Sequence, residues 1–292
     1  MPLKPESSLM VFFRRLGLDS IAWSLRRLHC PVGSDALVLE VGSGGNPYYR
    51  ANVLLDAYEE TRERHWEKLV ADRPTVIGLV ENLPFKDKAF DFVIASHVLE
   101  HSARPERFLA ELERVAKAGY IEVPDALMER LIPYMDHRLE VTVRDGRLVI
   151  RKKRAWRQDA ELAELYEDRA APLIGQGAIP RHPFEFHVRY YWQNSIPYVV
   201  LNPEVDAGWP APNAASPGLA RNVRSTVKGM VLRLLRALLS QRSRNRRLEL
   251  VRLLRCPACR TAELKSEPEA LRCAGCGERY DNKDGIPRLA RV

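Results

Sequence analysis

Short continuous apolar runs alternate with helically spaced apolar faces over the first half of the chain. Five runs have the length of a strand and are apolar almost throughout, as in parallel strands that are covered on both faces: 36–42, 51–57, 74–80, 90–96 and 118–124. Residues 105–117 instead place Phe108, Leu109, Leu112 and Val115 on one face, which predicts a helix. Strands that alternate with helical spacing predict an α/β fold with a doubly wound sheet.

The flanking segments predict smaller units. Residues 8–28, 156–175 and 223–254 have helical spacing, and 185–202 predicts further strand. Two alternating runs within 137–153 flank Asp145-Gly146, which is a strong β-hairpin signal. We therefore expect four segments: an N-terminal helical segment (1–34), a main α/β domain with a hairpin insert (35–202), a linker with a basic helix (203–251) and a small C-terminal unit (252–292).

Composition narrows the class of protein. The chain has 292 residues and is 46% hydrophobic, which is enough for a full core. It lacks an uninterrupted apolar stretch of about 18 residues, so we expect no transmembrane helix. The apolar patch near the N-terminus is short and is followed at once by Arg14 and Arg15, which is unlike a secretory signal. We expect a cytoplasmic protein.

The positive charge is concentrated near the C-terminus. The net charge is +8, and residues 221–255 hold eleven arginine and lysine residues against the single acid Glu249. Three interpretations stay open for this segment: a helix packed on the main domain with a solvated basic face, a contact to RNA phosphates, or a helix lying on an anionic membrane surface.

The first apolar run ends in a glycine-rich turn, "LVLEVGSGGNP" (37–47). A phosphate-binding P-loop is excluded because no Lys-Ser/Thr pair follows Gly45. The dinucleotide fingerprint G-x-G-x-x-G fits at Gly42 and Gly44 but has Pro47 at its third glycine. A tight turn without a ligand is a further interpretation. A third candidate ligand is S-adenosylmethionine (SAM), because "VLEVGSGG" resembles the first motif of class I SAM-dependent methyltransferases. Gly42 and Gly44 would let the backbone approach such a ligand without a Cβ clash.

Several stretches together resemble the type 11 family of class I SAM-dependent methyltransferases. They are "VLEVGSGG", "NVLLD", "ENLPFKDKAFDFVIASHVLEH" and "FLAELERVAKAGYIEVP", and they cover about residues 35–125. The resemblance implies a Rossmann-like fold, with Glu40 near the amino-acid end of SAM and Glu81 and Leu83 in the segment that lines the adenine pocket. Asp56 ends the second strand, where an acid can accept the ribose hydroxyls.

Two features depart from this family. Only residues 45–55 separate Gly44 from Asp56, whereas a parallel crossover normally needs a dozen or more residues. We therefore expect the first crossover helix to be shortened to a turn or two. Leu79 also stands where the family often has an acid that contacts the adenine amino group. Both departures leave room for a degenerate pocket.

"SHVLEH" (96–101) allows two kinds of chemistry. His97, Glu100 and His101 spell H-x-x-E-H, a zinc-binding pattern when it lies on a helix. The methyltransferase resemblance instead implies that this turn faces the methyl acceptor, with His97 or His101 as a base or a positioning group. A purely structural role in ordering the turn is the third interpretation. His137 is a weaker acceptor-side candidate.

Four of the five cysteines form two C-x-x-C pairs separated by thirteen residues: Cys256, Cys259, Cys273 and Cys276. Four thiolates fill a tetrahedral zinc ion and leave no open position, so this pattern predicts a structural site. A unit of about forty residues can scarcely build its own core. Metal binding would therefore stabilise its fold.

Residues 252–290 also resemble the small zinc-ribbon activator subunit of tRNA, rRNA and protein methyltransferases. The resemblance rests on "L-x-C-P-x-C", the second cysteine pair, Tyr280 and "DGIPRL". It implies a non-catalytic ribbon that stabilises a class I methyltransferase and is here fused to one.

The sequence thus predicts a SAM-dependent methyltransferase with a structural zinc ribbon. Its acceptor would be RNA, a protein, or a small molecule such as a sugar or lipid intermediate. The alternative is a non-catalytic scaffold of the same fold, whose ribbon and basic helix recruit a protein or RNA partner. SAM binding separates the two hypotheses.

Overall fold

The structure is a computed structural model, and it describes residues 3–61, 67–156, 160–166, 170–210 and 234–290. The strands, numbered β1 to β13 in chain order, are Val38–Val41, Val53–Asp56, Thr75–Ile77, Phe92–Ser96, Ala118–Pro124, Leu139–Arg144, Arg147–Lys152, His187–Gln193, Tyr198–Val200, Leu264–Glu267, Ala270–Cys273, Arg279–Lys283 and Ile286–Pro287. The helices, numbered α1 to α10, are Ser8–Arg15, Asp19–Leu25, Pro105–Val115, Ala126–Leu131, Ala160–Leu165, Ala171–Leu173, Ile179–Arg181, Pro183–Phe186, Arg242–Asn245 and Leu250–Leu253. Residues 234–239 are also helical.

A six-stranded sheet has the order β3-β2-β1-β4-β5-β8. β1, β2 and β3 pair in parallel, and β8 adds to β5 in antiparallel register, with Tyr120 opposite Tyr191. The strands β1 to β3 are buried along their whole length, as their continuous apolar runs predict. The predicted α/β, Rossmann-like fold is confirmed.

The chain divides into two compact units. The first comprises Met1–Ser34, Ala95–Glu113 and Ala118–Pro212, and the second comprises Asp35–Ile94, Arg114–Lys117 and Asn213–Val292. The second unit therefore contains β1 to β3 together with the C-terminal cysteine-rich strands. The division into four segments stays a prediction. Of its boundaries, only the one after residue 34 is also a boundary between these two units.

The first unit carries the predicted hairpin. β6 and β7 pair across Asp145-Gly146, and both turn residues have the positive φ that an Asp-Gly turn requires. β9 pairs with β7 in parallel and completes a three-stranded sheet, β6-β7-β9. Residues 202–210, the described part of the proline- and alanine-rich segment after β9, are hydrogen-bonded to the end of the hairpin. There Trp209 Nε1 donates to Lys153 O.

The expected crossover helix after β1 is wrong: residues 42–52 form turns. The N–H of Tyr48 donates to the carboxylate of Glu40, and the buried guanidinium of Arg73 donates to the carbonyls of Tyr48, Tyr49 and Ala51. These side chains satisfy backbone groups that a helix would have bonded internally. Eleven residues can therefore connect two parallel strands without a helix.

The helical spacing predicted over 223–254 corresponds to several short helices in the described part of that segment. Residues 234–239, α9 and α10 are separate short helices. Gln241, with a φ of 49°, separates residues 234–239 from α9. Several of the residues on which that prediction rested lie outside the described part of the chain: Arg221, Arg224, Val227, Lys228, Met230, Val231 and Arg233.

The C-terminal unit is a four-stranded antiparallel ribbon, β10-β11-β12-β13. Hydrogen bonds join its backbone, and the residue just before it, to the rest of the second unit. Leu289 N donates to Ile77 O at the edge of β3, and Lys86 N donates to Leu253 O just before the ribbon. None of the helices in the described ranges has the length and apolarity that crossing a bilayer requires.

Candidate active site

The glycine turn lies between the carboxyl ends of β1 and β2. Gly42 and Gly44 have φ values of 65° and 57°, a left-handed backbone conformation that strongly favours glycine. Asp56 ends β2, and its buried carboxylate accepts the N–H of Gly44 at 3.0 Å. The structure thus brings together Glu40, Gly42, Gly44 and Asp56, and the two acids hold the turn through its backbone N–H groups.

One buried polar atom in this turn has no internal partner. Ser43 Oγ makes no hydrogen bond to any described residue, although Ser43 is only 4% exposed. A buried hydroxyl without a partner costs about 1–3 kcal/mol. A polar ligand at the turn would remove that cost, so the donor and acceptor set of the turn fits a nucleoside-like ligand.

Two other segments of the same unit, around Val70 and around Arg236, cover part of the glycine turn. Val70 N donates to Gly44 O, Arg236 Nη1 donates to Gly45 O, and the side chain of Glu67 lies against Gly45. A Cβ on Gly45 would come within 2.4 Å of the Glu67 carboxyl carbon. The carboxylate end of Glu67 thus occupies the space beside Gly45 that a Cβ would fill.

The predicted adenine segment follows β3. Glu81 lies half-buried in a 3-10 turn, Val80–Asn82. Leu83 is fully buried, so its side chain belongs to the core. Asn82 Nδ2 donates to Pro257 O, which joins this segment to the cysteine-rich unit.

The turn after β4, in the first unit, places His97 beside two buried carboxylates. His97 has a φ of 57°, and its N–H donates to Glu122 O of β5. Its ring nitrogens lie 3.3 Å from Glu100 Oε1 and 3.4 Å from Glu122 Oε1. Partial desolvation alone lowers the pKa of His97, but the two carboxylates raise it to about 9. His97 is therefore an imidazolium at neutral pH.

Glu122 is the residue at this turn that the sequence reasoning missed. Burial alone raises the pKa of a carboxyl, yet His97 and Arg26 hold the pKa of Glu122 well below its usual range. Arg26 binds it with two hydrogen bonds, Nε to Oε2 at 2.7 Å and Nη2 to Oε1 at 3.1 Å. Its position could have revealed it, because Glu122 is an acid in the middle of the apolar run "AGYIEVP", and a buried acid is almost always paired.

His101 does not share these contacts. Its Nδ1 lies 3.2 Å from Asp136 O, and its ring packs edge-on against His137 with ring centroids 4.7 Å apart. Sequence spacing paired His101 with His97, whereas the fold pairs it with His137.

The four cysteines of the ribbon converge. Their sulfur atoms lie within 4.8 Å of one another, with Cys256 and Cys276 3.7 Å apart and Cys259 and Cys273 3.6 Å apart. A tetrahedral ion with bonds of about 2.3 Å separates its ligands by about 3.8 Å. The N–H groups of Gly275 and Cys276 also point to Cys273 Sγ, at 3.3 and 3.4 Å. This donor set fits one tetrahedral metal ion.

Comparison with known proteins finds a family match over the glycine-turn region. Residues 35–121 match the type 11 family model described as a methyltransferase domain. Residues within this chain are 31% identical over 100 residues to a sarcosine/dimethylglycine N-methyltransferase of Aphanothece halophytica, covering 30% of this chain and 36% of that protein. They are 31% identical over 93 residues to an uncharacterized protein of Methanocaldococcus jannaschii, covering 31% of this chain and 43% of that protein. The chain thus spans less than half the length of either relative.

Solved structures with partial likeness include a SAM-dependent methyltransferase from Thermotoga maritima, with 22% identity, 40% of this chain and 55% of that chain covered, and a TM-score of 0.28. Another is the complex that contains the Haloferax volcanii Trm112 methyltransferase activator. The match has 16% identity, covers 64% of this chain and 98% of that chain, and has a TM-score of 0.36. Residues 35–121 are thus similar to a methyltransferase domain.

Proposed function

We propose that this chain is a SAM-dependent methyltransferase. The observation that carries the proposal is the pair of left-handed glycines, Gly42 and Gly44, held between the buried acids Glu40 and Asp56 at the carboxyl ends of β1 and β2. Ligands of open α/β sheets bind at this edge.

SAM, when bound, supplies an activated methyl group. The chain's own residues would bind and orient it. Gly42 and Gly44 admit the ligand to the backbone, Ser43 Oγ offers an unused hydrogen-bonding group, and Asp56 and Glu40 keep the turn in shape. Methyl transfer needs in-line alignment more than covalent help, so a rigid turn is the main requirement.

His97 would act on the acceptor side as a positioning group rather than as a base. Two carboxylates keep it protonated at neutral pH and face both of its ring nitrogens, so it is poorly suited to proton removal. Acceptor-side roles for His97 and His101 remain predictions, and so do the acceptor classes of RNA, protein or small molecule.

The cysteine cluster would hold a structural zinc ion. Four sulfur ligands leave no open position for chemistry. Ion binding can contribute on the order of 10 kcal/mol to folding of such a unit. The ribbon would in turn support β3 and the segment around Lys86, to which it is bonded.

A polyanionic partner stays a prediction for the basic segment. Arg242, Arg246, Arg247 and Arg252 are exposed in its described part. Contact with RNA phosphates would make retention on RNA fall steeply with salt. Retention on anionic vesicles without retention on RNA would favour the membrane surface instead.

The test is calorimetric titration of SAM into the zinc-loaded full-length protein. Gly44→Ala places a Cβ at a φ of 57° in the proposed site, and Gly146→Ala does so at a φ of 74° in the β6–β7 turn. Both variants lose stability through the same strain, about 1–2 kcal/mol. We expect Gly44→Ala to bind SAM about tenfold more weakly or worse, which corresponds to 1.4 kcal/mol, and Gly146→Ala to bind it like the parent protein.

An absence of SAM binding to the folded, zinc-loaded protein would contradict the proposal. The scaffold hypothesis would then be favoured, since Val70, Glu67 and Arg236 already contact the glycine turn from within the chain.

A further inference from the structure

Three side chains of the first unit form a cluster apart from the cysteines. Glu100 and His101 belong to the 3-10 turn Leu99–His101 after β4, and His137 directly precedes β6. One carboxylate oxygen and one nitrogen from each ring lie within 4.8 Å of one another. Two imidazoles and a carboxylate are a common ligand set for first-row transition metals.

The fold brings these residues together through the backbone. Arg138 N donates to Glu100 O at 2.7 Å, so the residue after His137 is hydrogen-bonded to the turn that carries the other two ligands. Ligand bonds of about 2.1 Å place neighbouring ligands about 3–4 Å apart. Small side-chain rotations would therefore close the cluster around an ion.

Both rings are oriented by groups outside the cluster. Nδ1 of His101 bonds to Asp136 O, and Nδ1 of His137 bonds to the carboxylate of Glu129. Glu129 is itself held by Tyr134 N and by Lys153. An acceptor at each Nδ1 places the proton there and leaves the Nε2 lone pair for a ligand. A carboxylate behind a ligating histidine is the usual outer partner in metal sites.

Glu100 provides an independent observation. It is 2% exposed, and its Oε2 has no hydrogen-bond partner among the described residues. The imidazole of His97 approaches Oε1 to 3.3 Å, at ion-pair distance. A buried carboxylate oxygen without a partner is costly, and a cation at Oε2 would offset that cost.

We propose that Glu100, His101 and His137 bind a divalent first-row transition-metal ion, such as Zn²⁺ or Mn²⁺. Nitrogen ligands disfavour Mg²⁺ and Ca²⁺, which prefer oxygen. Three protein ligands leave positions open for water or for another oxygen ligand, in contrast to the closed set of four cysteines. The H-x-x-E-H spacing suggested His97 and His101 as the pair of ligands, whereas the fold replaces His97 by His137. This site does not depend on methyl transfer.

The test begins with full-length protein whose cysteine cluster is loaded with one equivalent of Zn²⁺. Co²⁺ is then added and followed by calorimetry and visible absorption. We expect one further ion to bind and to give d–d bands without a thiolate-to-cobalt charge-transfer band. Glu100→Gln and His137→Ala should each weaken this binding about tenfold or more, in line with removal of a metal-site residue.

The control is His182→Ala, because His182 is an exposed histidine of the same unit with a side chain 61% accessible. It should bind the second ion like the parent protein, and circular dichroism should show that all three variants fold. Pulsed EPR of Cu²⁺ added to the zinc-loaded parent protein gives a readout that needs no variant, namely modulation from imidazole nitrogen. Absence of a second ion, absence of that modulation, or unchanged binding in folded Glu100→Gln and His137→Ala would overturn the proposal.

Discussion

At the scale of single residues, Glu122 shows how a charge can occupy the middle of an apolar strand. Four side chains surround its carboxylate: Arg26, Ser96, His97 and Tyr120. Every lone pair that is removed from water thus meets a donor, which is the condition under which a buried charge is tolerated.

Glu122→Gln removes the charge but keeps the shape. Arg26, whose side chain is only 11% accessible, then loses its anionic partner, and we expect a loss of about 3 kcal/mol in the free energy of unfolding at pH 7. The pKa of Glu122 is lowered in the folded protein, so its contribution is present above the ordinary carboxyl pKa of 4.5 and is lost as pH falls. Urea unfolding should therefore show the difference between parent and variant shrinking below about pH 4.5.

Glu140→Gln is the matched control, because Glu140 pairs with Arg130 at the surface of the same unit. Exposed pairs contribute about 0–1 kcal/mol. A loss at Glu122 no larger than that at Glu140 would contradict the assigned role of Glu122.

At the scale of elements, the basic segment is joined to the second unit by particular arginines. Arg236 and Arg244 donate to backbone carbonyls at Gly45, Asp35 and Ala36. Asn52 and Asn245 are hydrogen-bonded to each other in the core of the same unit. Packing within the unit therefore accounts for these residues of the basic segment without a binding partner. The exposed arginines of the segment are still free to contact a polyanion.

Arg244→Ala and Arg246→Ala form a matched pair two residues apart. Arg244 bonds to Ala36 O at 2.9 Å and to Asp35 O at 2.6 Å, while Arg246 is exposed. We expect a loss of about 2 kcal/mol for Arg244→Ala and a change within about 0.5 kcal/mol for Arg246→Ala. Chemical denaturation measures both. Equal losses would contradict a structural role that is particular to Arg244.

At the scale of the whole molecule, residues distant in sequence share one compact unit. Leu289 N of the ribbon donates a hydrogen bond to Ile77 O, and Lys86 N donates one to Leu253 O. The ion pair of Lys86 with Glu263 and the contacts of Arg114 and Arg255 with Asp87 add to this connection. The cysteine cluster is thus coupled to the half of the sheet that carries the glycine turn.

Cys276→Ser should therefore affect more than the ribbon. With one ligand lost, metal binding and the ribbon fold weaken, and the amide of Lys86 should exchange its hydrogen about tenfold faster or more as its local stability falls. Hydrogen–deuterium exchange measures this directly. Cys30→Ser is the control, since Cys30 lies in the other unit and outside the cluster. Unchanged exchange at Lys86 in a zinc-free Cys276→Ser protein would contradict the coupling.

The sequence by itself determined the α/β class, the strands of the sheet, the hairpin turn and the grouping of the four cysteines. These features depend on local information: apolar runs that suit buried parallel strands, glycines where φ is positive, and close pairs of metal ligands.

Only the tertiary structure decided the partners of those residues. Hydrogen bonds from Arg73 hold the crossover that was expected to form a helix. Arg26 binds Glu122, which lies 96 positions later in the chain. His101 packs against His137, whereas its spacing in the sequence had suggested His97 as its neighbour. The physical reason is that hydrogen bonds and ion pairs form wherever the folded backbone brings complementary groups within about 3 Å, and separation along the chain does not record that proximity.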